Sequence, residues 1–150
     1  MAMALNMAYE GRTFPPTEPY QVGREKIREF AEAIGVTDAA YHDPAAAQAL
    51  GHPDVIAPPT FPIVITMPAT RLISDDPGLN FDYARMVHGD QRFAYVRPIR
   101  AGDELVCVTM IEKLTSRAGL DSIALRADIA TTAGEPVVTT WSKLVARGEA

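Results

Sequence analysis

The stretch TFPIVITMPATRLISD, residues 60–75, decides the fold. It is apolar along most of its length and rich in β-branched residues, which suit a strand. A helix that is apolar all round, however, belongs inside a fold. Thr60 is a suitable cap and Pro62 fits a first turn. Pro68 interrupts the interior and should kink it. The stretch therefore reads as a buried helix capped by Thr60, with Phe61, Val64, Ile65 and Leu72 in the core.

Upstream, REKIREFAEAIG places Ile27, Phe30, Ala31 and Ile34 on one helical face, and Gly35 is a natural stop. Asp43 and Pro44 form a cap and first position for a short helix, PAAAQAL, ended by Gly51. Residues 1–19 read as an irregular arm, broken by Pro15, Pro16 and Pro19. Downstream the chain turns strand-like. RMVHGDQRFAYVRPI, DELVCVTMIEKLTS, DSIALRADIATT and PVVTTWSKLVAR follow one another, and AGDE, SRAGL and TAGE supply turns. Helices first and long antiparallel strands after them give an α+β fold, with helices on one face of the sheet.

The chain has 150 residues, 47% of them apolar, and reads as one domain over residues 1–150. No apolar run is long enough to span a membrane. The N-terminus lacks the basic and apolar regions of a signal peptide. The single cysteine, Cys107, has no internal disulfide partner, which suits a reducing cytoplasm. A net charge of −5 argues against nucleic acid as a partner. The three histidines lack close ligand spacing, so no metal is implied, and no nucleotide fingerprint implies a cofactor.

Within GVTDAAYHD, Asp38 and His42 stand four residues apart, the spacing of an acid–base pair on one helical face. They precede the Asp43 cap, so that rule does not apply to them. The plain reading is an exposed polar loop. In HGDQ, residues 88–91, strand alternation sends His88 and Asp90 to one face and Gln91 to the other. They share a cleft only if a bulge intervenes, and Gly89 could permit one. Arg92, Arg97 and Arg100 read as solvated charges at the sheet edge.

Two stretches carry a family resemblance. Residues 33–61 resemble the MaoC-like hydratase/dehydratase pattern G-D-x-N-P-[IL]-H, followed by an Asp-led short helix, a Gly and APG. HGDQRFAYVRPIRAGDEL resembles that family's strand ending in RPxxAGD. The resemblance implies a hot-dog fold, a curved antiparallel sheet wrapped around a central helix. It also implies chemistry on acyl thioesters, where an Asp and a His share a water and exchange protons with the substrate. Aligning Asp43-Pro44, Gly51 and Ala57-Pro58 with their counterparts puts the family's Asp on Val36 and its His on Tyr41. The glycine that donates to the thioester oxygen falls on Pro59, which has no N–H. Asp38 and His42 are out of register.

HGDQ is similar to the HGEQ stretch in the non-catalytic half of double hot-dog hydratases. The whole chain resembles the non-catalytic subunit of heterodimeric (3R)-hydroxyacyl-ACP dehydratases. The resemblance thus implies an acyl-binding subunit without a catalytic pair, working as a dimer with a catalytic MaoC-like partner on an acyl-CoA or acyl-ACP thioester. The expected substrate contacts are Tyr41, Thr60, Phe61, Val64, His88 and Gln91. The alternatives are a self-sufficient homodimeric hydratase using Asp38/His42 or His88/Asp90, a non-enzymatic acyl-thioester binding protein and, more weakly, a thioesterase.

Overall fold

The computed structural model describes residues 3–148. The chain forms β1 (Tyr20–Gln21), α1 (Arg24–Ala33), α2 (Pro44–Ala49), α3 (Ile63–Ser74), β2 (Met86–Tyr95), β3 (Glu104–Arg117), β4 (Leu120–Thr131) and β5 (Pro136–Arg147). The strands make one antiparallel sheet in the order β1-β3-β4-β5-β2. The α+β order read from the sequence is the order observed.

Local chemistry accounts for most of these elements. Along β3, Leu105, Cys107, Thr109 and Ile111 alternate inward, as the strand period requires. In α1, Ile27 and Ala31 are buried, and Phe30 meets Phe61 edge-on at 5.4 Å between ring centroids. Ile34 instead lies exposed at the cap position. Gly35 follows with φ +74°, a conformation that closes helices. Asp43 caps α2 by accepting from the Ala45 N–H, and Pro44 takes its first position.

The central helix departs from expectation in two ways. It begins at Ile63, with Pro62 at the cap position and no side-chain capping bond. Thr60 lies in the preceding turn, which the Phe61 N–H closes by donating to the Pro58 carbonyl at 2.9 Å. Nor is the helix buried all round. Ile65, Ala69 and Ile73 form a buried stripe, whereas Met67, Pro68 and Leu72 are exposed. Leu72, assigned to the core from sequence, is 46% exposed, and Ile73 occupies that place at 0%. One face of α3 lies on the sheet, and the face bearing Met67 and Leu72 is exposed.

The interior divides into two clusters. The first gathers Phe61, Ile65, Ile99, Leu105, Ile129 and Val138, with Tyr41 and Val64 packed at its margin. The second gathers Ile73, Leu79, Ile111, Leu114, Ile123 and Leu144, with Tyr83 at its margin.

The two edges of the sheet differ. Beside β3 the N-terminal arm runs as a substitute strand. The Gly11, Phe14 and Thr17 N–H groups donate to the carbonyls of Ile111, Thr109 and Cys107, and Ile111 donates back to Arg12. Leu5 and Phe14 of the arm are buried. At the other edge, β2 pairs only with β5, and its outer side has no partner among the described residues.

Arg97 corrects a second expectation. Its side chain is not a solvated edge charge but only 14% exposed. It donates twice to Asp103 at 2.9 Å and once to Glu135 at 2.7 Å. Asp103 also accepts from the Arg100 N–H, so the RPIRAGD segment closes on itself. These bonds hold Arg97 firmly protonated and push Glu135 below the usual carboxylate range. Arg92 lies over the Trp141 ring at 4.0 Å.

Candidate functional site

The segment bearing Asp38 and His42 is a single 3-10 turn, Ala39–Tyr41, with Asp38 before it and His42 after it. His42 Nε2 donates to the Val36 carbonyl at 3.2 Å, and the imidazole staples the loop. Asp38 is exposed and makes no bond with His42 among the described residues. Tyr41 packs on the first cluster. Its neighbour Tyr95 donates to the Pro59 carbonyl at 2.6 Å. Burial, with Tyr41 nearby, holds Tyr95 well above the usual phenol range, so it stays protonated. This end of the molecule contains hydroxyls and a bonded imidazole, but no carboxylate–imidazole pair among the described residues.

The start of α3 offers few donors. Pro58, Pro59 and Pro62 have no N–H. The amides of Phe61, Ile63, Val64 and Ile65 bond to carbonyls three residues earlier, on Pro58, Thr60, Phe61 and Pro62. A helix N-terminus stabilises negative charge through free amides, and here they are largely occupied.

A cleft of about 340 Å³ runs between α3 and the sheet. Ile63, Thr66, Met67 and Thr70 supply its helix side. The sheet side carries Gln91, Thr109, Leu125, Thr140, Ser142 and Leu144. The pairing of β2 with β5 slips between His88 and Asp90, so Gly89 occupies a bulge. The bulge turns His88 to the side that Gln91 shares, and both line the cleft. His88 Nε2 donates to the Asp90 carbonyl at 2.9 Å.

Of the residues singled out from sequence, His88 and Gln91 are thus brought together in the cleft. Phe61 is fully buried in the first cluster, and Val64 packs on that cluster with Tyr41. Thr60 is exposed in the turn before α3. Sequence reasoning passed over Thr109, Thr140, Ser142 and Tyr83. A signal for two of them exists in β5, whose inward positions run Val138, Thr140, Ser142, Leu144 and Ala146. A strand buried on that face should be apolar throughout, so hydroxyls at its middle mark an interruption of the core.

Cys107 is buried and its thiol is pushed up to about 11 by burial, which keeps it unreactive. Among the described residues no cluster of His, Cys, Asp and Glu is arranged to hold a metal, and no helix is long and apolar enough to cross a membrane.

An antiparallel sheet laid over one central helix, with a cleft between them, is the hot-dog arrangement. The chain belongs to the MaoC-like hot-dog dehydratases: the family described as FAS1-like, dehydratase domain region, matches residues 8–140. A UPF0336 protein of Streptomyces coelicolor is 57% identical over 145 residues, covering 97% of each chain. A UPF0336 protein of Thermobifida fusca is 51% identical over 148 residues, covering 99% of this chain and 97% of its own.

Among solved structures, a chain of the C-terminally truncated HadBC (3R-hydroxyacyl-ACP dehydratase) complex of Mycobacterium tuberculosis superposes with a TM-score of 0.79 at 30% identity. The match covers 91% of this chain and 96% of that one. A MaoC-like dehydratase superposes at 0.86 and 33% identity. That match covers 94% of this chain but 43% of the other, so this chain spans less than half of that protein.

Proposed function

We propose that this chain, acting as one unit over residues 1–150, is the acyl-binding subunit of a (3R)-hydroxyacyl-thioester dehydratase/hydratase. Its catalytic MaoC-like partner supplies the Asp and the His. One observation carries the reading: the positions matched to the family pair hold Val36 and Tyr41, while a cleft lies open along α3. Val36 cannot carry a proton, and Tyr41 packs on the core. The division of labour follows from this. The partner moves protons between a water and the α and β carbons, and this chain holds the acyl tail and excludes solvent from it.

The tail contacts are His88 and Gln91 on the cleft wall. Tyr41, Thr60, Phe61 and Val64 shape the region around the start of α3. The carrier is CoA or acyl carrier protein. The bare β2 edge, with exposed Met86 and Val87, joins the two subunits into one sheet in the cytoplasm. The membership of HadBC-type complexes among the similar structures supports this pairing.

The test is hydration of an enoyl thioester, followed by loss of its conjugated absorbance. The chain alone should be inactive, and adding an Asp/His-bearing MaoC-like partner should restore turnover. Turnover by the chain alone would overturn the reading. A second reading has its own observation, the convergence of His88 and Gln91 in the cleft. It makes the chain a self-sufficient homodimeric hydratase, whose solitary activity should vanish in His88→Ala. Acyl binding without turnover in either state would identify a non-enzymatic binding protein.

A further inference from the structure

The face of the sheet that turns away from α3 carries an ordered pattern of charge, set out row by row by the strand register. Arg126 and Arg92 flank Trp141, Lys113 and Lys143 flank Ala124, and Arg117 and Arg147 flank Leu120. Strand alternation sends these side chains outward, since the neighbouring Leu114, Ile123, Leu125, Thr140, Leu144 and Ala146 are buried on the helix side. The cations therefore form two rails. Arg92, Lys143 and Arg147 make one, and Arg126, Lys113 and Arg117 make the other. Trp141, Ala124 and Leu120 form the stripe between them.

Three features distinguish this face from ordinary solvated charge. The chain as a whole carries a net charge of −5, so these cations are gathered against the overall sign. Only Arg126 among them is ion-paired among the described residues, to Asp128 at 3.2 Å. The stripe between the rails is accessible and apolar: Leu120 is 49% exposed, and Trp141 and Ala124 are half-buried. The Arg92 guanidinium lies over the Trp141 ring at 4.0 Å and that of Arg126 at 5.8 Å, so the ring holds one cation on each side of the stripe.

The dimensions are those of a helix. The two flanking cations of each row stand two strands apart, about 10 Å, and a helix with its side chains is about 10–12 Å across. From Trp141 to Arg147 β5 rises about 20 Å, the length of a helix of about 14 residues. An anionic lipid surface needs only the charge and makes no use of an apolar stripe between two rails. We infer that this face docks an acidic amphipathic helix of a partner protein. The apolar side of that helix lies on Trp141, Ala124 and Leu120, and its flanking carboxylates meet the two rails. The cleft opens on the opposite face, so this docking is independent of what the cleft holds.

Trp141 is the chain's single tryptophan, so its fluorescence reports occupancy of the stripe. The full chain is titrated with a tryptophan-free helical peptide of about 14 residues, bearing leucines along one side and glutamates on both flanks. A scrambled peptide of the same composition and phosphatidylglycerol vesicles are the comparisons. The ordered peptide should bind saturably, about fivefold or more tighter than the scrambled one, and should weaken steeply as salt is added. Lys113→Glu and Lys143→Glu, one from each rail, should each weaken it several-fold without changing thermal melting. Ala124→Arg adds a cation but fills the stripe, so it should weaken the ordered peptide, whereas a purely electrostatic surface would bind more tightly. Absence of saturable binding, equal binding of the scrambled peptide, or tighter binding by Ala124→Arg overturns the inference. A response to the vesicles alone also overturns it and assigns the face to a lipid surface.

Discussion

Two short segments of this chain each carry an aspartate and a histidine, and the backbone treats them in opposite ways. In residues 36–42 a 3-10 turn holds Asp38 in solvent and ties the His42 ring to the Val36 carbonyl. In residues 86–91 a one-residue bulge at Gly89 swings His88 round to join Gln91 in the cleft. The first segment has the spacing that suggests chemistry and none of the geometry. The second has a spacing that forbids convergence on a regular strand, and converges because the strand is irregular. Sequence distance between polar groups is thus a poor guide until the local backbone is known.

The largest effect should come from removing the irregularity. Deleting Gly89 restores regular alternation, and a one-residue slip turns side chains to the other face. His88 then leaves the cleft, and acyl-thioester binding should fall by at least tenfold while the far-ultraviolet circular dichroism stays unchanged. Binding at the wild-type level would show that the bulge has no part in the site.

The two histidines should separate by what they damage. His42→Ala removes a half-buried hydrogen bond and should cost about 1 kcal/mol, some 2–4 °C in Tm for a chain of this size. Acyl binding should remain within a few-fold of wild type. His88→Ala, at an exposed position, should leave Tm alone and weaken binding several-fold. Thermal melts and titrations on both variants decide the point, and an exchanged pattern would reverse the roles.

The smallest effects belong to the carboxylates. Asp38→Asn and Asp90→Asn should each change stability by less than about 0.5 kcal/mol. Turnover of the assembled enzyme should stay within several-fold. Loss of a genuine acid–base group usually costs about 10²–10⁴-fold. A drop on that scale in either variant, with folding preserved, would make its pair catalytic after all.

What could be read in the sequence was whatever local chemistry determines. The Asp43–Pro44 cap, the stop at Gly35 and the strand and turn order all depend on neighbours in the chain. The hot-dog family was visible in two ordered stretches. What stayed hidden depends on distant partners. A largely apolar α3 does not reveal which face the sheet will cover, so Ile73 takes the core place given to Leu72. Arg97 seemed solvated because its partner, Asp103, is brought back to it by the shape of the intervening turn. Gly89 permits a bulge, but only pairing with β5 places one there. The hydroxyls on the cleft floor were legible in principle, since Thr140 and Ser142 stand at positions where β5 should be greasy.

The arm that runs beside β3 has a consequence for stoichiometry. A sheet with two bare margins can add neighbours on both sides and grow into a ribbon, whereas one bare margin lets the sheet extend once. The arm's bonds along β3 occupy one side, so strand-to-strand assembly through the β2 margin alone would terminate at two bodies. Assembly through that margin would also make self-pairing and pairing with a different hot-dog mutually exclusive. A copy bound to its twin is withheld from any other mate, so the ratio of the two chains in the cell would set how much of the mixed pair exists.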